Sequence, residues 1–264
     1  MLKVEKVTKI FNQGSVNEKT ALNNVSFHLN KGEFVTIIGS NGAGKSTFLN
    51  AIAGNFFVDS GTIVIGSRDV TRLPQYKRAS FIGRVYQDPM LGTAGSMTIE
   101  ENLVMALKRG ERRRLRLAIN NKTRDYFRSQ LEKLGLGLEN RLTTKVSLLS
   151  GGQRQALTLL MATLKEPELL LLDEHTAALD PKTAETVLKI TCEVTKNSNL
   201  TTLMITHDLE QALNVGDRTI MMHEGTIILD LKGAQRKNTT VSSLLEMFEQ
   251  ASGTHFLNDR VLLS

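Results

Sequence analysis

Apolar positions recur along this chain in two rhythms. Phe34-Val35-Thr36-Ile37-Ile38 and Leu169-Leu170-Leu171-Leu172 are nearly unbroken apolar runs, as expected of strands buried on both faces in a parallel sheet. Leu2 to Thr8, in part, and Ala21 to Leu29 alternate and read as strands, as do the short run Thr62 to Ile65 and the segments Ala79 to Tyr86 and Thr201 to Thr206. Arg218 to His223 and Thr226 to Asp230 flank Glu224-Gly225 and predict a hairpin. Helical spacing follows Gly44 and returns at Leu103 to Leu107, behind the capping signal Thr98-Ile99-Glu100-Glu101. Further helices are predicted over 123–134, 154–164, 182–196 and 241–248, and residues 98–164 form a mainly helical insertion. Pro89 is expected to end regular structure and to leave Gln87 on a loop edge.

The richest chemistry sits where the first buried strand meets its helix, at Gly39-Ser40-Asn41-Gly42-Ala43-Gly44-Lys45-Ser46-Thr47. This is a strand, a glycine-rich turn and a helix start in the phosphate-binding pattern. Glycines let backbone N–H groups wrap a polyphosphate because no Cβ intervenes. The helix beginning near Lys45 aims its free N–H groups and positive dipole end at the anion. Lys45 is placed to reach the β- and γ-phosphates, and the Ser46 hydroxyl to hold Mg²⁺. The competing reading is a purely structural glycine turn.

Other residues gain meaning from that turn. The four-leucine strand ends in Asp173-Glu174, at the strand end where open α/β sheets keep their ligand crevice. Asp173 there is a Mg²⁺ ligand candidate, and Glu174 can take a proton from an attacking water. His207 holds the corresponding place after strand 201–206, as a γ-phosphate contact. Gln87, after strand 79–86, is a candidate positioner of water or metal. Ser150 can cap a helix whose first residues, Gly151 and Gly152, expose N–H groups, a second anion site. Phe11 reads equally as core packing or as a surface for stacking a base.

The chain has 264 residues, 41% of them hydrophobic, and a single cysteine, Cys192. It is long enough for a sizeable core and lacks any possible intrachain disulfide. No segment approaches the roughly 18 apolar residues of a membrane span, and the N-terminus lacks a signal-peptide pattern. These features suggest a cytosolic soluble chain; if it acts at a membrane, another polypeptide must cross the bilayer. Between Lys108 and Arg128 nine basic residues face two acidic ones, against a net charge of +6 for the whole chain. A solvated face, a nucleic-acid patch and a patch near anionic headgroups all remain open readings of that block.

Taken in order, these motifs resemble the nucleotide-binding subunit of ATP-binding cassette (ABC) transporters over residues 2–250. The Walker A turn, Gln87, Leu149-Ser150-Gly151-Gly152-Gln153, Asp173-Glu174, Ala178-Leu179-Asp180 and His207 follow the family's sequence of motifs. The resemblance implies an α/β P-loop NTPase with a parallel-sheet core, an antiparallel β subdomain and a helical signature subdomain. It implies one ATPase domain over 1–250, with the helical part at about 98–164 and a tail at 251–264. It further implies head-to-tail pairs, with ATP between the Walker A turn of one copy and the signature of the other. On that template Phe11, where the family more often has tyrosine, stacks on adenine. Residues Ser40, Asn41, Gly42, Ala43, Gly44, Lys45, Ser46 and Thr47 surround the phosphates. Ser46, Gln87 and Asp173 serve Mg²⁺, and Gln87 also couples to the membrane subunit. Glu174 polarises the water, His207 contacts the γ-phosphate, and Ser150, Gly151, Gly152 and Gln153 close the opposing site. The implied cofactors are ATP and Mg²⁺.

His175 follows Glu174 where proline is common in the family. The phrase from Glu174 to Thr183 is similar to the ATPase of bacterial uptake systems with a tryptophan/tyrosine-type binding lipoprotein. The expectation is therefore an importer ATPase on the cytoplasmic face of the membrane, bound to permease subunits, indirectly served by the lipoprotein and independent of nucleic acid. An export or lipoprotein-release ATPase is the alternative within transport. A non-transport cassette acting on nucleic acid or the ribosome is the alternative outside it.

Overall fold

The computed structural model describes residues 1–111 and 118–252, so Arg112, Arg113, Arg114 and Arg116 of the basic block lie outside the described residues. In chain order the first elements are β1 (Leu2–Phe11), β2 (Lys19–Leu29), β3 (Phe34–Ile38), α1 (Lys45–Ala53), β4 (Ser60–Ile65), β5 (Arg68–Asp69) and α2 (Gln75–Arg78). Then come β6 (Ile82–Val85), α3 (Ile99–Leu107), α4 (Asn121–Glu132), α5 (Gly151–Thr163), β7 (Leu169–Asp173) and α6 (Pro181–Asn197). The last are β8 (Thr202–Ile205), α7 (Leu209–Asn214), β9 (Arg218–His223), β10 (Thr226–Lys232), α8 (Gly233–Asn238) and α9 (Val241–Ser252). They form two compact units, Met1–Arg78 with Asn199–Ser264, and Ala79–Ser198.

In the first unit β2, β1, β4 and β5 make an antiparallel sheet in that order. Separately, β3 lies between β8 and β9 and is parallel to both, while β10 pairs antiparallel with β9. The unbroken apolar run of β3 is explained by its burial at every position. Ile38, Met221 and Leu231 pack with Leu209 and Ala212 of α7 and Leu244 and Phe248 of α9. Arg78 is buried at the end of α2. Its guanidinium donates to the carbonyls of Ala51 and Ile52 at the end of α1, and to Leu73 and Thr71. It thereby supplies a donor to the Ile52 carbonyl at the helix end and a second one to Ala51, which also accepts from the Gly54 N–H.

In the second unit β6 and β7 run parallel, with Ile82 opposite Leu169 and Val85 opposite Leu172. Helix α3 begins in a full capping box, Thr98 with Glu101, as the sequence pattern predicts. Helices α3, α4 and α5 pack on one another, and α6 packs on α5. Within the basic block, Arg124 grips Glu100 through Nε and Nη2 at 2.7 and 3.1 Å. Lys108 pairs with Glu111, and Arg128 with Asp125.

Two local expectations change. The strand expected over 79–86 is shortened to β6, with residues 79–81 in a turn before it; the Phe81 carbonyl accepts from the N–H groups of Glu168 and Leu169 at the start of β7. Pro89 does not simply end regular structure: it opens a short 3-10 turn, Pro89–Gly92, capped by the Asp88 carboxylate. Proline suits that first position because its missing N–H is one that would be unsatisfied anyway.

Candidate functional site

In the first unit the chain leaves β3 and turns sharply into α1. Gly39 and Gly44 have φ of 145° and 100°, backbone that side-chain-bearing residues avoid. A Cβ on Gly39 would collide with the Met222 carbonyl oxygen, and one on Gly44 would come 2.6 Å from that of Ala21. The turn is thus packed directly against β2 and the β9–β10 hairpin, and Gly225 N–H donates to the Ala43 carbonyl at 3.0 Å. Lys45 is buried, and its ammonium donates to the carbonyls of Gly39 at 2.7 Å and Ser40 at 3.1 Å. Helix α1 has no side-chain cap and no acidic residue in its first turn. A wrapped loop, an uncapped helix N-terminus and an ammonium within the loop suit a polyphosphate. Asn41, Gly42 and Ser46 are exposed on this turn.

His207 reaches the same edge by register. Ile37 pairs with Ile205, so Gly39 and His207 each lie two residues beyond a paired position, at the C-terminal ends of parallel strands. Thr206 N–H donates to the Ile37 carbonyl at 3.2 Å, and Asp208 caps α7 just beyond. Phe11, at the end of β1, is half-buried and meets Phe56 edge-on, with ring centroids 5.3 Å apart. The Lys9 ammonium lies over both rings, at 5.4 and 5.6 Å, and pairs with Asp59. Phe56 lies in the loop after α1, without a periodic pattern to mark it in the sequence.

In the second unit strand register again brings two strand-end residues to one edge. Val85 faces Leu172, so Gln87 and Glu174 each lie two residues past a paired position, at one edge. Gln87 is exposed and Glu174 half-buried. Glu174 has φ of 47°, a left-handed conformation that costs a non-glycine residue about 1–3 kcal/mol and persists only where its surroundings hold it. Asp173 Oδ2 accepts from Arg84 Nη2 at 3.1 Å, and the Arg84 guanidinium lies 4.5 Å from the Tyr86 ring centroid. The oxygen donors Ser46 and Asp173 are of the hard type that Mg²⁺ takes.

His175 is fully buried, and desolvation pushes its pKa down to about 4, which leaves the ring neutral. Its Nε2 lies 2.9 Å from Thr191 Oγ1, whose own proton goes to the Val187 carbonyl. The ring therefore donates from Nε2, and His175 is an anchor between β7 and α6. Ser150 caps α5 in a capping box with Gln153, so the signature residues stand at a helix N-terminus, with Ser150 and Gly151 exposed. A Cβ on Gly152 would collide with Thr183 Cγ2 of α6. Arg84, Gln155 and Thr183 all touch these elements yet escape a reading by motif, because their roles are set by tertiary contact.

Comparison with known proteins agrees with this geometry. Residues 22–177 match the family model described as ABC transporter. The chain is 47% identical over 251 residues to the "Tyrosine transport ATP-binding protein" of Clostridioides difficile, covering 95% of this chain and 100% of that one. It is 32% identical to the "Methionine import ATP-binding protein MetN" of Pasteurella multocida, covering 86% of this chain and 64% of that protein. Among solved structures, the dimeric post-hydrolysis state of the ATP-binding cassette MJ0796, bound to ADP and Pi, aligns with TM-score 0.75 at 28% identity. That alignment covers 88% of this chain and 98% of the other. The loop that can wrap a polyphosphate, the strand-end carboxylates and these likenesses lead to one conclusion: the chain belongs to the ABC transporter family, as an ATPase that couples ATP hydrolysis to transport.

Proposed function

We propose that this chain is the ATP-hydrolysing subunit of a bacterial amino-acid importer of the aromatic type, working with membrane permease subunits and a substrate-binding lipoprotein. The observation that carries the cargo class is the 47% identity, over nearly the whole of both chains, to a protein named for tyrosine transport. Residues 1–250 act as one ATPase domain, at the cytoplasmic face of the membrane. Among the described residues no helix is long and apolar enough to cross a bilayer; on this reading the permease subunits cross it.

The residues take the following roles. Lys45 and the backbone N–H groups from Ser40 to Thr47 hold the phosphates, and Phe11 stacks on the adenine. Ser46 and Asp173, with Gln87, hold Mg²⁺, which when bound neutralises the charge that develops on the phosphates. Glu174 takes the proton of the attacking water, and His207 contacts the γ-phosphate. Gln87 couples this chemistry to the permease. A second copy supplies Ser150, Gly151, Gly152 and Gln153, whose helix N-terminus complements the negative charge of the phosphates. Two copies therefore close on two ATP molecules.

Capture of the Glu174→Gln chain from native membranes, with ATP and Mg²⁺, tests the transport assignment. Co-purification of a multi-span permease and a binding lipoprotein supports import. A permease without a binding protein favours export, and nucleic acid or ribosomes without membrane protein contradict transport altogether.

A further inference from the structure

Among the described residues, Gln155 is a buried polar side chain to which the roles above give no function. It lies on α5 and is fully buried. Its Nε2 donates to the Tyr86 carbonyl at 2.9 Å and to the His175 carbonyl at 2.7 Å. Both partners can only accept, so the amide orientation is set: the NH₂ group faces the two carbonyls and Oε1 faces away. Oε1 is buried without a hydrogen-bond partner. A merely space-filling role would favour an apolar side chain of the same shape, which leaves no buried acceptor unpaired.

The two carbonyls are not arbitrary. Tyr86 immediately precedes Gln87, and His175 immediately follows Glu174. These two residues leave the sheet at one level, because Val85 and Leu172 are paired. The His175 carbonyl lies one residue beyond the left-handed turn at Glu174, whose φ is 47°. A non-glycine residue keeps that conformation only when neighbours hold it, and the Gln155 amide is one group that does so.

We propose that Gln155 is a positioning residue for ATP hydrolysis, whose carboxamide clamps the loop bearing Gln87 to the turn bearing Glu174. The same side chain ties both to the signature residues, since Gln155 belongs to the helix that begins at Gly151. Both amide protons are committed, so the amide cannot follow one carbonyl without losing the other. A displacement of the helix N-terminus by a second copy thus reaches Gln87 and Glu174 through one rigid group. This inference rests on the general-base reading of Glu174.

The test uses Gln155→Met, which keeps the volume and removes the donor. Gln155→Asn keeps the amide but is one methylene shorter, so it reaches one carbonyl at most. Three quantities are measured on the full chain: kcat and KM for ATP, the thermal midpoint, and amide hydrogen exchange without nucleotide. A misplacement of about 1 Å at a reacting group costs on the order of 100-fold in rate, so kcat should fall roughly 10- to 100-fold in Gln155→Met while KM for ATP stays within about twofold. Exchange should speed up in 174–179, where the Ala177 N–H donates to the Glu174 carbonyl at 3.0 Å, and stay unchanged in α1. Unchanged kcat would overturn the proposal. So would exchange that rises across the whole chain with activity lost in step with folding, the pattern of a structural residue. If the methionine variant does not fold, the same measurements on Gln155→Asn decide. Glu174→Gln is assayed alongside: normal turnover there defeats the general-base reading, whereas a dead Glu174→Gln with an unaffected Gln155→Met defeats only the clamp.

Discussion

Arg84 Nη2 lies 3.1 Å from Asp173 Oδ2, and the two side chains are only 10% and 16% exposed. The pair joins the ends of adjacent parallel strands, and its carboxylate is the one proposed above to hold Mg²⁺. A guanidinium that neutralises this carboxylate competes with the metal for it, while steadying the edge when no metal is present. Arg84→Met should therefore lower the nucleotide-free melting temperature and reduce the Mg²⁺ concentration needed for half-maximal turnover. The metal effect should be roughly fivefold, equivalent to about 1 kcal/mol of ion-pair interaction. Thermal unfolding without nucleotide and a Mg²⁺ titration of ATP turnover check both halves, and no change in either would remove the pair from the account.

Lys45 is held inside its loop by the carbonyls of Gly39 and Ser40. Its substitution by methionine retains the buried stem and removes the charge proposed to meet the phosphates. ATP binding, followed by equilibrium dialysis, should weaken by about 100-fold or more, the scale of losing a charge-assisted contact in a phosphate cradle. The melting temperature should fall by several degrees, because the Gly39 and Ser40 carbonyls lose the ammonium that donates to them.

Gly152 has no room for a side chain, since a Cβ would meet Thr183 Cγ2. Gly152→Ala should destabilise the second unit by about 1–3 kcal/mol, as overpacking does. Thr183→Ser removes the obstructing methyl group and should recover most of that loss. Denaturant unfolding of the two single variants and the double variant gives the coupling directly. Additive losses would mean that the steric reading of this contact is wrong.

Arg78 satisfies four backbone carbonyls from a buried position. Desolvation lowers its pKa to about 10, so it remains charged at neutral pH. Arg78→Met takes this donor from the Ile52, Thr71 and Leu73 carbonyls, while Ala51 keeps the Gly54 N–H, and should cost about 3 kcal/mol, from the usual penalty of losing the partner of a buried group. Arg78→Lys should rescue little, because an ammonium lacks the planar fork. Urea unfolding measures both, and a loss below about 0.5 kcal/mol would contradict the role given to this residue.

Features written in local sequence are those that could be read before the structure. The buried runs of β3 and β7, the glycine turn before α1, the Thr98 and Ser150 caps and the Glu224-Gly225 hairpin each depend on a few consecutive residues. Strand register then places Gly39 with His207, and Gln87 with Glu174, because parallel pairing preserves the offset from a paired position. Arg78, Arg84 and Gln155 were not legible, since their partners lie 26 or 27, 89, and 20 and 69 residues away. An arginine or glutamine in a strand or helix looks solvent-facing until its distant carbonyl or carboxylate is known. Short helices such as α2, α7 and α8 span four to six residues, too few turns for a hydrophobic period to emerge. His175 read as a subgroup mark, and its buried bond to Thr191 gives it a structural task.

The central claim is that Glu174 drives hydrolysis in a closed pair of chains, each lending its Ser150-Gly151-Gly152 turn to the other's ATP. The most direct measurement is the solution mass and ATP turnover of purified Glu174→Gln with Mg²⁺-ATP, beside a Glu174→Gln/Ser150→Arg double variant. The account predicts that Glu174→Gln binds ATP, doubles in mass and turns over at least about 100-fold more slowly than the unaltered chain, the scale of a lost general base. The bulky arginine on the exposed Ser150 position should return the mass to that of one chain. A Glu174→Gln chain that stays single while saturated with ATP, or one that hydrolyses at the normal rate, would contradict it.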